Sequence, residues 1–359
     1  MSLPPKEIPL GAMRFNSDSQ KLEYFNGEIW MQVHTFNPAL GGGDITYTVP
    51  NVGTVPLQDM QWHSGARGLI CGGDYSSPGP GTHDQVRYIT IPTTGDTTDF
   101  GDTTTPTRDG GSCASRTRGL YRYGTNPSAD INDNVDYWTI ASTGNATDFG
   151  DMGYNARGAR GLSNATRGIF AGGNNDSGTH YNTIEYVTIA STGNGNDFGD
   201  RVAGLCSRIG GGASPTRGIM VGSNSSPYKQ IDYITIASTG NSTDFGDAER
   251  IAQANSSAAC SGTRMVFGGA QGGGQMDMLE MASTGSSTGF GDMTVNRMSF
   301  ASMSDCIRGV FAGGDGSPTQ FNEIDYFTIA TQGNAIDFGD LPYKNQQTTG
   351  LSNGHGGLG

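Results

Sequence analysis

An internal repeat constrains this chain more than any other feature. The tetrad Asp-Phe-Gly-Asp, which is Gly-Phe-Gly-Asp in one copy, occurs six times, with its Phe at positions 100, 149, 198, 245, 290 and 338. Consecutive Phe residues are therefore 49, 49, 47, 45 and 48 residues apart. A Tyr/Thr-rich run such as YVTIASTG precedes the tetrad, and an Arg-apolar-Gly-Gly run such as RGIFAGGN lies earlier in the unit. A period of this length indicates one supersecondary unit used many times.

Each unit predicts four short β-strands. Period-2 runs of apolar and polar residues are separated by Gly, Asn and Ser turns, a pattern typical of β structure. Four strands in about 40–50 residues form the blade of a β-propeller. The innermost strands crowd the axis, so the stretches GGSCAS and ANSSAACSG, which are rich in small residues, are assigned there. We therefore predict an all-β propeller with four-stranded blades.

The two ends of the chain predict how the ring closes. Residues 39–59 (ALGGGDITYTVPNVGTVPLQD) match the second to fourth strands of a unit in a degenerate form, and residues 348–357 (TTGLSNGHGG) match an inner strand. Together they predict a seventh blade, shared by N- and C-terminal strands. The predicted organisation is thus a strand-rich N-terminal arm over residues 1–33 and a seven-bladed propeller over residues 34–359, at about 47 residues per blade.

On these residues the chain resembles the kelch-like propellers. The Gly-Gly doublet, the aromatic strand and the closing aromatic position recur at the appropriate period. The chain departs from that pattern because Phe stands where kelch blades usually carry Trp, and because Gly124 and Gly222 are single glycines. The resemblance implies a fold rather than a function, since propellers carry out many functions.

Composition excludes several classes of protein. The net charge is −13, with no run of Lys or Arg, which disfavours a nucleic-acid partner. The first residues form no apolar leader, and nowhere do 18 apolar residues occur in succession, so neither a secretion signal nor a membrane span is expected. The five Cys are scattered without a CxxC pair and are expected to be buried thiols.

Catalytic patterns are sparse. The five His form no HExxH motif, and no GxSxG or phosphate-binding loop is present. Two charged residues recur in the blades: the Arg that begins each second strand and the last Asp of each tetrad. We interpret them as structural residues that form a repeated Arg–Asp contact. We predict that the protein is not an enzyme and has no cofactor.

The connection between the second and third strands differs in every unit, whereas the ASTGN connection between the third and fourth strands barely changes. In an up-and-down blade these connections lie on opposite faces, so one face is predicted to be uniform and the other diversified. The diversified loops predict candidate ligand-binding residues Tyr75, Asn174, Asp176, Tyr181, Tyr228 and Phe321. Aromatic, amide and carboxylate groups suit a glycan or protein surface. Plain solvated loops are the alternative.

One segment has oxygen-bearing side chains at every second position, as in Ca²⁺ loops: Asp130, Asn132, Asn134 and Asp136. It lacks the turn Gly and the distal Glu of an EF-hand. A solvated hairpin loop is the preferred interpretation, and no metal site is predicted.

The N-terminal segment, residues 11–33, predicts two or three short strands with a turn at Asn26-Gly27 and Trp30 opposite Phe25. It resembles a short element of bacteriophage tail-fibre and other virion proteins, carried here by Arg14, Phe15, Asn16, Leu22, Glu23, Tyr24, Gly27 and Trp30. The resemblance implies that Arg14, Phe15, Tyr24 and Trp30 anchor the chain to other virion proteins. A hairpin that caps the propeller is the alternative.

Together these features predict a phage virion protein, made in the host cytoplasm and exposed on the particle, whose propeller binds a host-surface glycan or receptor. The N-terminal segment would leave the propeller from its uniform face. The alternatives are an intracellular kelch-type scaffold that binds a protein partner and a glycan-cleaving propeller enzyme. Whether the chain forms a homo-oligomer stays open.

Overall fold

A computed structural model of the protein describes residues 12–16, 21–25, 30–32, 46–49, 53–56, 66–75, 81–202, 204, 206–222, 228–250, 257–269, 273–316 and 319–358. The chain divides into two compact units, Met1–Leu57 and Gln58–Gly359. The predicted boundary between residues 33 and 34 lies outside the described residues. Within the described part, no helix is long and apolar enough to cross a membrane.

The first unit contains two small antiparallel sheets. Strands β1 (Met13–Asn16), β2 (Lys21–Phe25) and β3 (Trp30–Gln32) form one sheet in the order β1-β2-β3. Strands β4 (Thr46–Val49) and β5 (Gly53–Pro56) form the other. Phe25 pairs with Trp30, so the predicted strands and the predicted register at Trp30 are confirmed, whereas the predicted turn at Asn26-Gly27 lies outside the described residues.

The second unit is a propeller. Its strands, in chain order, are β6 (Arg67–Cys71), β7 (Asp74–Tyr75), β8 (Gly81–Thr82), β9 (Gln85–Thr90), β10 (Thr98–Asp102), β11 (Gly111–Ala114), β12 (Arg118–Arg122), β13 (Asn134–Thr139), β14 (Thr147–Asp151), β15 (Arg160–Ser163), β16 (Arg167–Ala171), β17 (Thr183–Thr188), β18 (Asn196–Asp200), β19 (Gly210–Ala213), β20 (Arg217–Val221), β21 (Gln230–Thr235), β22 (Thr243–Asp247), β23 (Ser257–Cys260), β24 (Arg264–Gly268), β25 (Gln275–Glu280), β26 (Thr288–Asp292), β27 (Ala301–Ser304), β28 (Arg308–Ala312), β29 (Glu323–Thr328), β30 (Ile336–Asp340), β31 (Asn345–Gln346) and β32 (Thr349–Ser352). A short 3₁₀ turn follows at Gly356–Leu358.

These strands form antiparallel four-stranded blades. Blade 1 has the order β32-β6-β9-β10 from its first to its fourth strand, and blades 2 to 6 are β11 to β14, β15 to β18, β19 to β22, β23 to β26 and β27 to β30. The remaining strands of this unit form a small sheet in the order β31-β7-β8. The first strands carry small residues, as in GSCA, GGGA and SAAC, because they line the axis. The prediction of an all-β propeller with four-stranded blades and a closing blade shared between distant strands is confirmed.

The predicted number and make-up of the blades need correction. Each blade's turn Gly donates its N–H to the tetrad Phe carbonyl of the preceding blade, and the bond from Gly95 to Phe338 (2.8 Å) joins blade 1 to blade 6. The described residues therefore form a closed ring of six blades rather than seven. The strand at Thr349–Ser352 pairs with Arg67–Cys71, whereas β4 and β5 pair with each other. The degenerate match over residues 39–59 was misleading because strand patterning alone does not select a partner strand.

The tetrad forms the junction between blades. In blade 2, Phe149 is buried and its ring meets the Tyr137 ring edge-on, with centroids 6.1 Å apart. Gly101, with φ +147°, lies directly against the turn of the next blade. A side chain does not fit there, since an added Cβ would lie 2.3 Å from the Gly144 carbonyl oxygen. The tetrad thus supplies a buried ring and a bare backbone to each junction.

The repeated Arg residues also join the blades, but not through the tetrad Asp. Arg118 stacks on Tyr137, with 4.4 Å from its Cζ to the ring centroid, and donates from Nη1 to the Ile189 carbonyl of the next blade (2.9 Å). The equivalent bond closes the ring from Arg308 to Ile91 (3.3 Å). The scaffold interpretation of these Arg holds, and the predicted Arg–Asp pairing is wrong. The guanidinium groups of Arg118 and Arg308 therefore each stack on a Tyr ring and donate a hydrogen bond to a backbone carbonyl at the end of a strand in the neighbouring blade.

Candidate functional site

The two faces of the propeller differ as the repeat predicted. One face, here called the turn face, carries the connections from first to second strands and from third to fourth strands, including the ASTGN turns. The other, here called the loop face, carries the connections from second to third strands and those between blades. Arg67, the first residue of β6, lies at the turn face, because it pairs with Thr90 next to a third-to-fourth turn. The chain therefore joins the propeller at its uniform face.

A ring of left-handed residues surrounds the axis on the loop face, two positions before each described first strand except β23. Its members are Asp109, Gly158, Arg208, Ser299 and Gln347, with φ between +53° and +67°. Neighbouring blades are linked through this ring, since Asp109 donates its N–H to the Gln347 carbonyl (2.8 Å) and Gly158 donates to the Asp109 carbonyl (2.6 Å). Four of the five are not glycine. Such backbone strain often marks functional sites.

The side chains of this ring, here called the axial mouth, are charged on one side. Arg208 donates from Nε to both carboxylate oxygens of Asp109 (2.9 and 2.8 Å) across about one third of the ring. The attraction of Asp109 raises the pKa of the Arg208 guanidinium. Ser299 and Gln347 line the opposite side. The described part of the mouth therefore presents an ion pair and two neutral polar groups, and no two of its five residues are of the same type.

Below the mouth, a second guanidinium enters the axial channel. Arg160, the first residue of β15, donates from Nε to the Ile209 carbonyl (2.6 Å). Enclosure by protein lowers the pKa of Arg160 to about 10, an effect that the nearby Asp109 carboxylate opposes. The group stays charged at neutral pH. Arg160 lines both the mouth and the space beneath it.

The channel is closed at the turn face. The segment after β32 crosses the axis, where His355 donates from Nε2 to the Ala114 carbonyl (2.9 Å) and Leu358 is buried. Burial lowers the pKa of His355 to about 4. Between this segment and the mouth lies a cavity of about 60 Å³, lined by small residues of the first strands. Since one water molecule needs about 10–15 Å³ on this measure, the space is large enough for several water molecules.

A second feature of the loop face is the seam between blades 6 and 1. In blades 2 to 6 the third residue of the third strand is a buried acid that contacts the preceding blade: Asp136, Glu185, Asp232, Asp277 and Asp325. Blade 1 has Arg87 there, and its guanidinium lies 5.8 Å from the ring centroid of Tyr343. Tyr343 also contacts Tyr75 and His83, with centroids 5.3 Å apart in both cases.

His83 is buried within this seam. Its Nε2 lies 3.2 Å from Oδ1 of Asn345, and burial lowers its pKa. Its Nδ1 and the Nε of Arg87 are buried without a hydrogen-bond partner among the described residues. The Tyr75 and Tyr343 rings remain partly exposed. The seam thus combines partly exposed rings with polar groups, at the junction of the described blades where the repeated acid is replaced by Arg87.

The six predicted ligand-binding residues lie on the loop face but are spread over four blades. Tyr75 belongs to the seam, and the Tyr181 ring packs at a tilt against the Tyr154 ring, with centroids 4.7 Å apart. Asn174 is buried and bonds to its own loop, whereas Asp176 is exposed at a turn of the same loop. The two others sit on separate blades, Tyr228 partly buried with φ +50° and Phe321 packed over Gly316. The structure does not bring all six into a single pocket.

The four predicted anchoring residues lie in the first unit. Arg14 pairs with Glu23 across β1 and β2, with 2.8 Å between Nε and Oε2. The backbones of Phe15, Tyr24 and Trp30 belong to β1, β2 and β3 of the same sheet. The described residues of the resembling motif therefore lie in one antiparallel sheet.

The candidate Ca²⁺ oxygens have separate partners. Asp136 accepts bonds from Tyr123 Oη and Thr104 N inside a blade junction, and Asp130 accepts one from Asn126 Nδ2. Asn134 donates to Asp151, and Asn132 lies in the loop between β12 and β13. Within the described ranges, no three His, Cys, Asp or Glu side chains are grouped so as to hold a metal ion. The five Cys are free, and four of them are buried.

Comparison with known proteins adds no family. No protein-family model matches this chain, and no curated protein is significantly similar to it. The geometry of the two faces therefore carries the functional argument.

The sequence analysis missed the axial mouth and the seam. Asp109, Arg160 and Arg208 occupy positions that differ from blade to blade, so no repeat pattern marks them. Arg87 could have been found, because it replaces an acid at a repeated position. Tyr343 could not, since its neighbours Tyr75 and His83 are over 250 residues away along the chain.

Proposed function

We propose that this protein is a structural component of a bacteriophage particle, in a tail fibre or a capsid fibre. Its N-terminal sheet would bind other virion proteins, and its propeller would present the loop face to a glycan or receptor on the host surface. The observation that carries the proposal is the polarity of the propeller: the chain joins it at the uniform turn face, and the loops that differ between blades lie on the opposite face.

The N-terminal sheet supports the anchoring role. The residues that resemble the virion element lie on three paired strands, and the Arg14–Glu23 ion pair fixes two of them. Glu23 is buried and the Arg14 side chain is about half exposed, so the pair lies between the sheet and solvent. A short paired sheet in a compact unit of its own suits an attachment element.

The seam supports recognition of a glycan. Partly exposed Tyr rings offer flat apolar faces for the C–H groups of a sugar, and their hydroxyls offer hydrogen bonds at the edge. Tyr75 and Tyr343 provide two such rings beside the charged side chain of Arg87. Aromatic residues and Arg are also the residues that dominate the binding energy of protein interfaces.

The experiment has two arms. An antibody raised against the protein is used to detect it in density-banded particles from an infected culture, which should contain it; its absence from particles would refute the virion assignment. In the second arm, the purified full-length protein is applied to an array of bacterial surface polysaccharides. Tyr75→Ala should reduce binding about tenfold or more, as expected for loss of a central aromatic contact, whereas Thr143→Ala in an exposed turn-face connection should not.

The same array and the same protein variants distinguish the alternative functions. If the protein cleaves an array-positive polysaccharide, reducing ends accumulate on incubation, and the protein is a glycan-cleaving enzyme rather than a binding component. If Thr143→Ala and Tyr75→Ala reduce binding equally, the loop face is not the recognition surface. We expect binding without release of saccharides.

A further inference from the structure

The six repeated Arg residues lie around the turn face, one in each blade, and use only part of their guanidinium groups within the fold. They are Arg67, Arg118, Arg167, Arg217, Arg264 and Arg308. Each donates from Nη1 to one or two carbonyls of the next blade, at distances between 2.7 and 3.3 Å. In all but Arg264, Nε and Nη2 have no hydrogen-bond partner within the described part of the chain, and neither atom is buried. We call this side of the guanidinium the free edge, since its two nitrogen atoms can still donate.

Blade 5 shows what this edge of the guanidinium binds. Nε and Nη2 of Arg264 both lie 2.7 Å from Oε1 of Glu280. Glu280 is the last residue of its third strand and pairs directly with Arg264. In the other blades the residue at this position is a Thr: Thr90, Thr139, Thr188, Thr235 and Thr328. Blade 5 therefore fills the edge with its own carboxylate, and the five other blades present the same edge without one.

The turn face is positive in a protein whose net charge is −13. Its described charged residues are the six repeated Arg and Arg116, against three acids, Asp96, Glu280 and Asp305. By contrast, the last Asp of each tetrad lies at the opposite, loop-face end of its fourth strand. The propeller therefore separates its charges along its axis, and a negatively charged partner is attracted to the turn face although the whole protein is acidic.

We propose that the turn face is a docking surface for an acidic protein, whose Asp or Glu carboxylates occupy the five free edges. Two parallel N–H donors match the two oxygens of a carboxylate. A Tyr ring and the bond to the next blade hold each of these guanidinium groups in place, so little side-chain freedom is lost on binding. A nucleic-acid duplex fits less well, because its phosphates would also lie against the exposed first Asp of the tetrads on the outermost strands. This surface does not depend on the proposed virion role.

The test uses the full-length protein and two fluorescently labelled probes, poly-L-glutamate as an acidic polypeptide and a short DNA duplex. Fluorescence anisotropy measures the binding of each probe at several salt concentrations. We expect saturable binding of poly-L-glutamate that weakens as salt is added, because exposed charges are screened, and weaker binding of the duplex. Failure of poly-L-glutamate to bind overturns the proposal, and so does binding of the duplex that is equally tight or tighter.

The difference between Thr and Glu in the blades supplies the first variant. Thr139→Glu combined with Thr188→Glu copies the arrangement of blade 5 into blades 2 and 3, so it fills two free edges and leaves every Arg in place. Binding of poly-L-glutamate should weaken about fivefold or more, since two exposed ion pairs with the probe are lost. The control, Ser128→Glu combined with Ser177→Glu, adds the same charge to exposed loop-face positions of the same blades and should have a much smaller effect.

The reverse substitution provides an independent variant with a gain of binding. Glu280→Thr gives blade 5 the residue found in the other blades and exposes the edge of Arg264, so poly-L-glutamate should bind about two- to fivefold more tightly. Glu249→Thr removes the same charge from the loop face and is the matched control. If the turn-face and loop-face substitutions change binding equally, the probe responds to net charge alone, and the proposed docking surface is wrong.

Discussion

The close approach of backbone at the blade junctions predicts a specific cost for one methyl group. Gly101 and Gly95 both lie in blade 1 and have nearly the same φ, +147° and +150°. A Cβ on Gly101 would lie 2.3 Å from the Gly144 carbonyl oxygen, whereas a Cβ on Gly95 would meet nothing within 4 Å. The pair Gly101→Ala and Gly95→Ala therefore separates the steric cost of the junction from the cost of the backbone conformation.

The expected losses of unfolding free energy follow from the backbone cost and the steric cost. An L-residue in this region of φ costs about 1–3 kcal/mol, and both variants should lose that amount. Overpacking against a carbonyl that cannot move without opening the junction adds about 1–3 kcal/mol. Only Gly101→Ala bears this second cost. Its free energy of unfolding should therefore be lower than that of Gly95→Ala by about 1–3 kcal/mol.

Denaturant unfolding followed by far-UV circular dichroism and Trp fluorescence measures both variants beside the unsubstituted protein. Trp138 is buried in blade 2, which faces the altered junction, so its emission reports the relevant region. If Gly101→Ala and Gly95→Ala are equally stable, the close contact does not explain the tetrad Gly, and the account of the junction is wrong.

Two further predictions concern buried charges. Arg201→Met leaves the buried Asp232 carboxylate without its ion-pair partner and should lower the free energy of unfolding by about 3–5 kcal/mol. Glu280→Gln, which removes one partner of an exposed pair, should lower it by less than about 1 kcal/mol. Similar losses of unfolding free energy in the two variants would contradict the burial argument. The pKa of His355 is lowered from 6.5 to about 4, so the unfolded state binds the proton first and stability falls as pH drops from 6.5 to 4. Because His355 is partly accessible, we expect it to contribute about 1–3 kcal/mol to this loss of stability. The melting temperature should therefore fall more steeply with decreasing pH for the protein than for His355→Gln. Parallel pH profiles of the two proteins would refute this prediction.

Much of the fold was predictable because the repeat places the same physical requirement at the same position. The tetrad Phe must be buried, the tetrad Gly must accept a neighbouring turn, and the first strand must be small at the axis. These requirements act over one unit and its neighbour, so Phe149, Gly101 and Cys113 could be assigned from their place in the repeat. The uniform and diversified faces followed from the same alignment of units.

The closure of the ring was not predictable in this way. Residues 39–59 and residues 67–102 both carry strand patterns that could complete the last blade, and patterning does not state which edge a strand will pair with. The choice is made by the junction between Gly95 and Phe338, which brings together residues more than 240 positions apart. It requires a complete blade with its own turn and tetrad, which residues 39–59 lack.

What the sequence by itself determined is therefore the blade: its strands, its junction residues and its two unlike faces. Only the tertiary structure decided the number of blades and the sites at the axis and the seam. The physical reason is that each unit repeats local packing, whereas Asp109, Arg160 and Arg208 become neighbours only when their blades close around a common axis. Their chemistry depends on that enclosure, which raises or lowers pKa values and fixes an ion pair that no single blade contains.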